Sequence, residues 1–466
     1  MDSTLLEKTL SNAAKLGCSF SDVRYQRKDS EIIEIENKNL KSYSSDTLSG
    51  IGVRVVYGGS IGYSSTSRVT TKNLDEILEK AVKAAKAQVS EEEDPLRLVE
   101  ITQDEMLLPM KIDPFDISPE EKISLAIEAN KSAYCDETIK GSFTDIGFIL
   151  NYSQIMTSEG TNLSVTTPLI GLSHSSVAGI NGKKETAGYS KSLCAGWEFI
   201  SGENWNEFAM DISGLAAEAV KARPPPSGTF PVVVDQDVIG LVLHEALGHA
   251  SEADGVAADY SVLKGMLGKE VASEIVSVYD EGVVEGGYYF PFDDEGVAKD
   301  KTTIIEKGIL KGYLHDRKTA KQLGAEVTGN GRLQDFQNIP IVRQTNFYMS
   351  GGDNVEDELF EGIDFGFLIQ GKGGRGGQVD PGMGTFTFGV GPSRVIRKGE
   401  PAEMVRGVVI SGSILETLKT VDAVGREVNI KTGVFGGCGK DGQTVKTGFG
   451  GPMTRIQKMT VGGREE

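Results

Sequence analysis

Residues 244–254 read HEALGHASEAD, and three of them can do chemistry together: His244, Glu245 and His249. Two imidazoles can share a metal ion, and a carboxylate beside them can take a proton from water that the ion acidifies. Hydrolytic zinc sites of this kind usually space their histidines four apart on a helix, as H-E-x-x-H. Here the second histidine comes five residues after the first, and Gly248 takes the usual place. On a regular helix, residues five apart point about 140° from each other, so the two rings could not meet on one ion. Two backbone adjustments restore the geometry. A π-turn, with one i→i+5 bond, brings the pair into line. Alternatively, the helix ends near Gly248 and His249 folds back from an irregular turn. Gly248 suits either, because glycine tolerates unusual backbone angles. The competing reading is two hydrogen-bonded core histidines, which leaves Glu245 as a buried charge in need of a partner.

Two histidines do not complete a catalytic zinc site, which takes three protein ligands and keeps one position open. The chain holds only four histidines, His174, His244, His249 and His315, and four cysteines. Glu252 lies three residues beyond His249 and can reach the ion or brace a ligand from behind. His174 lies in the strand-like GLSHSS. His315, in GYLHDRKTA, suits a substrate contact better than a ligand role. Cys438, in FGGCGKDG, is the strongest chemical candidate: a thiolate binds zinc well, and its glycine neighbours leave the backbone free to approach closely. Its alternative is a small buried hydrophobe.

These residues need a frame. A chain of 466 residues favours two domains. RPPPSG, 223–228, cannot continue a helix and makes a stiff spacer. It divides an N-terminal α+β domain, 1–223, from a mainly β C-terminal domain, 229–466. In the first, a short helix is expected over 4–16, stopped by Gly17. Ile51, Val53 and Val55 alternate on one face before a Gly58–Gly59 turn, a hairpin signature. Leu74, Ile77, Leu78, Ala81, Val82 and Ala85 form one helical stripe. The acidic SEEEDP, 90–95, reads as a linker. Ser118, Pro119 and Glu121 open a further helix with a capping box. Antiparallel strands are expected over 140–200 and a helix over 203–222. In the second domain, FPVVVD reads as a strand and QDVIGLVLHEALGHA as a buried helix, apolar on nearly all sides. Of the 58 glycines, 27 lie in 351–466, which points there to short antiparallel strands with sharp turns and close backbone approach. The fold class expected is α+β, with the glycine-rich domain carrying the buried metal-site helix.

Charge and composition exclude several functions. A net charge of −19 repels phosphate backbones and anionic lipids, so neither nucleic acid nor membrane is an expected partner. No apolar run approaches the roughly 18 residues that a membrane span needs, and MDSTLLEKTL has no secretory pattern. Cys18, Cys135, Cys194 and Cys438 form no C-x-x-C pair, which points to a reducing cytoplasm.

The chain resembles the TldD side of the TldD/PmbA family of metalloproteases. The stretches that carry the resemblance are LHEALGHASEAD, FPFDDEGVAKDKTTIIEKGILKGYLHDRKTA, TGNGRLQDF, VRQTNFYM, GGQVDPGMGTFTF and GVFGGCGKDGQ. Their order and spacing are far more specific than the short metal motif. The resemblance implies a peptidase with Zn2+ held by His244, His249 and Cys438 and with Glu245 as the catalytic carboxylate. It also implies a dimer, formed with a second copy or with a PmbA/TldE-like paralogue that lacks the metal residues. Members have been called gyrase modulators, but the acidic charge gives direct DNA binding no support. Zinc lowers the pKa of water it binds toward about 7 and polarises a scissile carbonyl, while Glu245 moves the proton. The alternatives are a zinc hydrolase of a smaller amide and a non-catalytic peptide-binding subunit. Unfolded peptides are the expected substrates, added as a strand beside the glycine-rich residues 371–389.

Overall fold

The computed structural model describes residues 3–88, 94–374 and 376–463; residues 90–93 of the expected acidic linker lie outside them. The chain is α+β. Among the described residues, its first sheet has seven strands. Phe20–Glu36 lies between Asn39–Tyr57 and Ile139–Thr157, antiparallel to both. Ile139–Thr157 continues into Asn162–Ile180, which also pairs Lys183–Leu193 and, in parallel, Gln103–Leu107. The expected hairpin joins Asn39–Tyr57 to Ser60–Thr66 through Gly58 and Gly59, both at positive φ. That is the turn whose twist matches its strands.

Two helix groups cover this sheet. Thr71–Lys86 buries Leu74, Ile77, Leu78, Ala81, Val82 and Ala85, the stripe read from the sequence, and packs with Ile51, Val53 and Val55. Pro119–Ser132 and Trp205–Ala219 pack with Ile146, Phe148 and Leu172. The Ser118 hydroxyl accepts from the Glu121 N–H at 3.2 Å, but the reciprocal half of a capping box does not form. One hydrogen bond suffices to cap this exposed end.

Among the described residues, the second sheet has thirteen strands. Its axis is Gly448–Gly463, which pairs antiparallel with Gly228–Val234, Val408–Ser413 and Val421–Thr432 and parallel with Asn346–Met349. Glycine lets a helix lie directly on this strand: a Cβ on Gly240 would come within 2.7 Å of the Gly450 Cα. The helix expected from Gln236 onward is three pieces: α over Gln236–Val242, π over Leu243–Gly248 and 3-10 over His249–Ser251. The apolar residues Ile239, Val242, Leu243, Ala246, Leu247 and Ala250 bury all three in the main core of this half. Burial therefore holds the segment in place while its winding changes along its length.

Candidate metal centre

The change in winding answers the spacing of the two histidines. In the π-turn the His249 N–H donates to the His244 carbonyl, an i→i+5 bond. That bond turns the two rings toward one side, with centroids 5.4 Å apart and planes at 79°. A 3-10 turn over His249–Ser251 follows. Of the two adjustments expected from the sequence, the π-turn forms; His249, at φ −63° and ψ −34°, keeps helical angles and does not fold back from an irregular turn. Gly248 is needed for a reason other than the expected backbone freedom. Its φ of −62° and ψ of −50° are ordinary helical angles that any residue adopts. What excludes a side chain is space, because a Cβ there would meet the Gln344 carboxamide at 2.0–2.7 Å.

Cys438 reaches the pair from the far end of the chain. It begins Cys438–Lys440, which pairs antiparallel with Gln443–Val445 around Asp441 and Gly442, both at positive φ. This is a two-residue hairpin of the Asp-Gly kind. Cys438 Sγ lies 3.3 Å from His249 Nε2. One ligand atom from each of His244, His249 and Cys438 lies within 4.8 Å of the others.

The remaining atoms fix these side chains. Glu252 is buried, and its Oε2 lies 3.1 Å from His249 Nδ1, so a carboxylate holds the ring from behind while Nε2 faces Cys438. Lys440 Nζ donates to Glu252 Oε2 at 2.9 Å, to Asp254 Oδ1 at 2.8 Å and to the Val342 carbonyl at 3.0 Å. Burial alone would raise the Glu252 carboxyl, but His249 and Lys440 hold it down to about 2. Burial would likewise raise the Cys438 thiol, but His244 and His249 hold it down to about 4, which makes it a thiolate at neutral pH. Against the opposing effect of burial, Glu252 and Cys438 push His249 well above the usual histidine range. His244 Nδ1 is buried with no hydrogen-bond partner. Two imidazoles and a thiolate, buried and converging, with one ring nitrogen unsatisfied, are a donor set suited to a borderline-soft dication such as zinc.

Glu245 stands at the mouth of this cluster, its Oε2 3.9 Å from His249 Nε2. It lines an open cleft with His249, Tyr260, Val379, Pro381 and Lys440. Val379 belongs to Gly376–Asp380, which pairs with Thr385–Gly389 and, among the described residues, with no other strand. The cleft therefore borders a sheet edge.

The other two histidines lie apart. His174 is fully buried in the first sheet between Thr144 Oγ1 at 2.8 Å and Ser176 Oγ at 3.0 Å, and burial lowers it to about 4. It is a satisfied core histidine. His315 is also buried and lowered to about 4; its Nδ1 faces Thr319 Oγ1 at 3.3 Å, and it does not line the cleft. Sequence reasoning passed over Lys440 and Gln344. The Asp-Gly turn one residue beyond Lys440 was a visible hairpin signal; Gln344 had none.

Three family models match the chain: PmbA/TldA metallopeptidase domain 1 over 21–85, the central domain over 112–222 and the C-terminal domain over 227–463. Metalloprotease MJ0996 of Methanocaldococcus jannaschii is 36% identical over 439 residues, 94% of this chain and 95% of its own length. A metalloprotease TldD homolog of Haemophilus influenzae is 30% identical, covering 95% of this chain and 93% of its own. A zinc metalloprotease TldD homolog of Saccharolobus solfataricus is 28% identical, covering 98% and 99%. Among solved structures, TldE from Thermococcus kodakarensis shares the fold with a TM-score of 0.76 at 18% identity, covering 98% of this chain and all of its own. A Thermotoga maritima protein named as a candidate modulator of a DNA gyrase does so at 0.82 and 21%, covering 99% of this chain and all of its own. With most of its length matched in this way, the chain belongs to the PmbA/TldD family of metallopeptidases.

Proposed function

We propose that this protein is a zinc-dependent peptidase that hydrolyses unfolded peptides, with His244, His249 and Cys438 as the metal ligands and Glu245 as the general base. The observation that carries the reading is the convergence of the three donor atoms within 4.8 Å, beside a carboxylate that faces an open cleft. Bound there, zinc supplies Lewis acidity toward a carbonyl oxygen and toward water. Glu245 Oε2 takes the proton from the attacking water and delivers it to the leaving amine nitrogen. Glu252, behind His249 Nδ1, keeps that ring's other nitrogen turned toward Cys438 Sγ, where it would be available as a ligand. The Gly376–Asp380 edge offers main-chain donors and acceptors to an extended peptide, which favours unfolded substrates and little side-chain selectivity.

The same reading takes 1–223 and 229–466 as the two folding units, each built on its own sheet. It has the chain act in the cytoplasm as a dimer, with a second copy or a paralogue of the TldE kind. Support for such a partner is the fold shared with TldE from Thermococcus kodakarensis. The test is mass analysis of products from unstructured peptides, run with zinc-loaded and zinc-stripped protein. New termini from the loaded form alone are expected. Equal cleavage by both forms would refute the zinc mechanism.

A further inference from the structure

The stretch VRQTNFYM, 342–349, is buried and rich in polar residues, none of which is a candidate ligand or base. Its side chains meet the centre from behind. Arg343 is fully buried; its Nη2 donates to the Cys438 carbonyl and its Nη1 to the Gln443 carbonyl at 3.2 Å. One guanidinium thus grips both strands of the hairpin that carries Cys438. Gln344, its neighbour, is also fully buried. Its Nε2 donates to the His244 carbonyl at 3.0 Å, and its backbone N–H donates to Glu252 Oε1 at 3.3 Å. Its carboxamide occupies the space that a side chain on Gly248 would need. The segment is itself anchored. Thr345 donates to Asp280 from its backbone and its hydroxyl at 2.8 and 2.9 Å, and Asn330 Nδ2 donates to the Arg343 carbonyl at 2.8 Å.

We propose that Arg343 and Gln344 are the positioning residues of the centre, a clasp that fixes the Cys438 hairpin against the Leu243–Gly248 turn and holds that turn in its π form. A π-turn is rare because its backbone geometry is less favourable than that of the α-helix, so it persists where something outside the helix supports it. The Gln344 amide is such a support, a second donor to the carbonyl that closes the i→i+5 bond. Glutamate would set an acceptor against that carbonyl, and asparagine is one methylene short. Adjacent side chains on one anchored segment, between strands Ile341–Val342 and Asn346–Met349, therefore set the distance between ligand segments far apart in sequence. This inference rests on the proposed zinc reading of the same site.

The test is zinc affinity of the full chain, measured by competition with a chromophoric chelator, together with the visible spectrum of the cobalt(II)-substituted protein. Gln344→Met keeps the length and removes the donor, and Arg343→Lys keeps the charge and removes the fork. Each is expected to weaken zinc about 10–100-fold and to shift the cobalt bands. Gly248→Ala displaces the Gln344 carboxamide and is expected to do at least as much. In a Gln344→Ala background the atoms that the new methyl would strike are gone, so Gly248→Ala should add nothing further. If wild type binds zinc while Gln344→Met matches it in affinity and spectrum, the clasp is overturned and the zinc reading stands. The clasp is equally overturned if the Gly248→Ala effect is undiminished by Gln344→Ala. A Gln344→Met chain whose circular dichroism shows it unfolded would assign the residue to the core and overturn its positioning role. A wild-type chain that takes up no zinc would overturn the zinc reading and the clasp with it.

Discussion

At the scale of single residues, the proposed mechanism divides the centre into groups that would hold an ion and one that would move a proton, and substitutions should separate the two. Cys438→Ser and His249→Ala each remove one of three donors whose atoms lie within 4.8 Å of one another. Each is expected to reduce bound zinc from about one per chain to a small fraction, read by metal analysis after gel filtration. Unchanged zinc in Cys438→Ser would remove the thiolate from the site. Glu245→Gln should behave differently. The amide cannot accept a proton, so zinc content stays and peptide hydrolysis falls about 10²–10⁴-fold. Wild-type turnover in that variant would pass the role of base to another group. These residues were legible because chemistry constrains their type: the chain has only four His and four Cys, and a Glu between two of those His has few other reasons to stand there. Gln344 was not legible, because its role comes from where strand Asn346–Met349 lies beside the π-turn, and nothing local to RQTN encodes that neighbour.

At the scale of elements, local patterns were readable wherever the chain makes its own contacts. The Thr71–Lys86 stripe and the Gly58–Gly59 hairpin follow from period and turn chemistry alone. The winding at Leu243–Gly248 was legible only as a requirement, since two imidazoles five apart need it, and the sequence left open how it would be met. The glycine-rich stretch read as turns and close approach, yet the unpaired edge at Gly376–Asp380 depends on which strands lie next to it in the sheet. That edge carries the next expectation. A peptide added there as a strand uses its own N–H groups, so methylating the nitrogens on either side of the scissile bond should cut its turnover at least tenfold, with the zinc unaffected. Likewise, a folded protein should resist cleavage that its unfolded form undergoes. Equal rates within both pairs would defeat strand addition and leave the zinc chemistry untouched.

At the scale of the whole molecule, the question is what holds one half to the other, since the candidate ligands His244, His249 and Cys438 all lie in the second half. Buried ion pairs cross between them. Arg54, on Asn39–Tyr57, donates from Nε to Asp22 Oδ2 and from Nη1 to Glu295 Oε1, both at 2.6 Å. Glu295 Oε2 accepts the Arg317 N–H at 2.7 Å, and the Arg317 guanidinium forks onto Glu159 of the first half at 2.9 and 2.7 Å. Beside an opposing effect of burial, Arg54 and Arg317 hold the Glu295 carboxyl below its usual range, as an ionised partner requires. Such a network does little for net stability when intact, because both charges have left water. Breaking it on one side is a different matter. Arg54→Met strands Glu295 as a buried charge with no side-chain cation on its Oε1, and a loss of about 3–5 kcal/mol is expected in urea unfolding of the full chain. Arg54→Met combined with Glu295→Gln removes the stranded charge, so the pair should lose clearly less than the sum of the two single changes. Both partners lie in sequence among many other Arg and Glu residues, which is why this contact could not be read before the sheets were seen together. An Arg54→Met chain within about 0.5 kcal/mol of wild type, or a double variant whose loss is additive, would show that apolar packing between the two halves, and not this arginine, joins them.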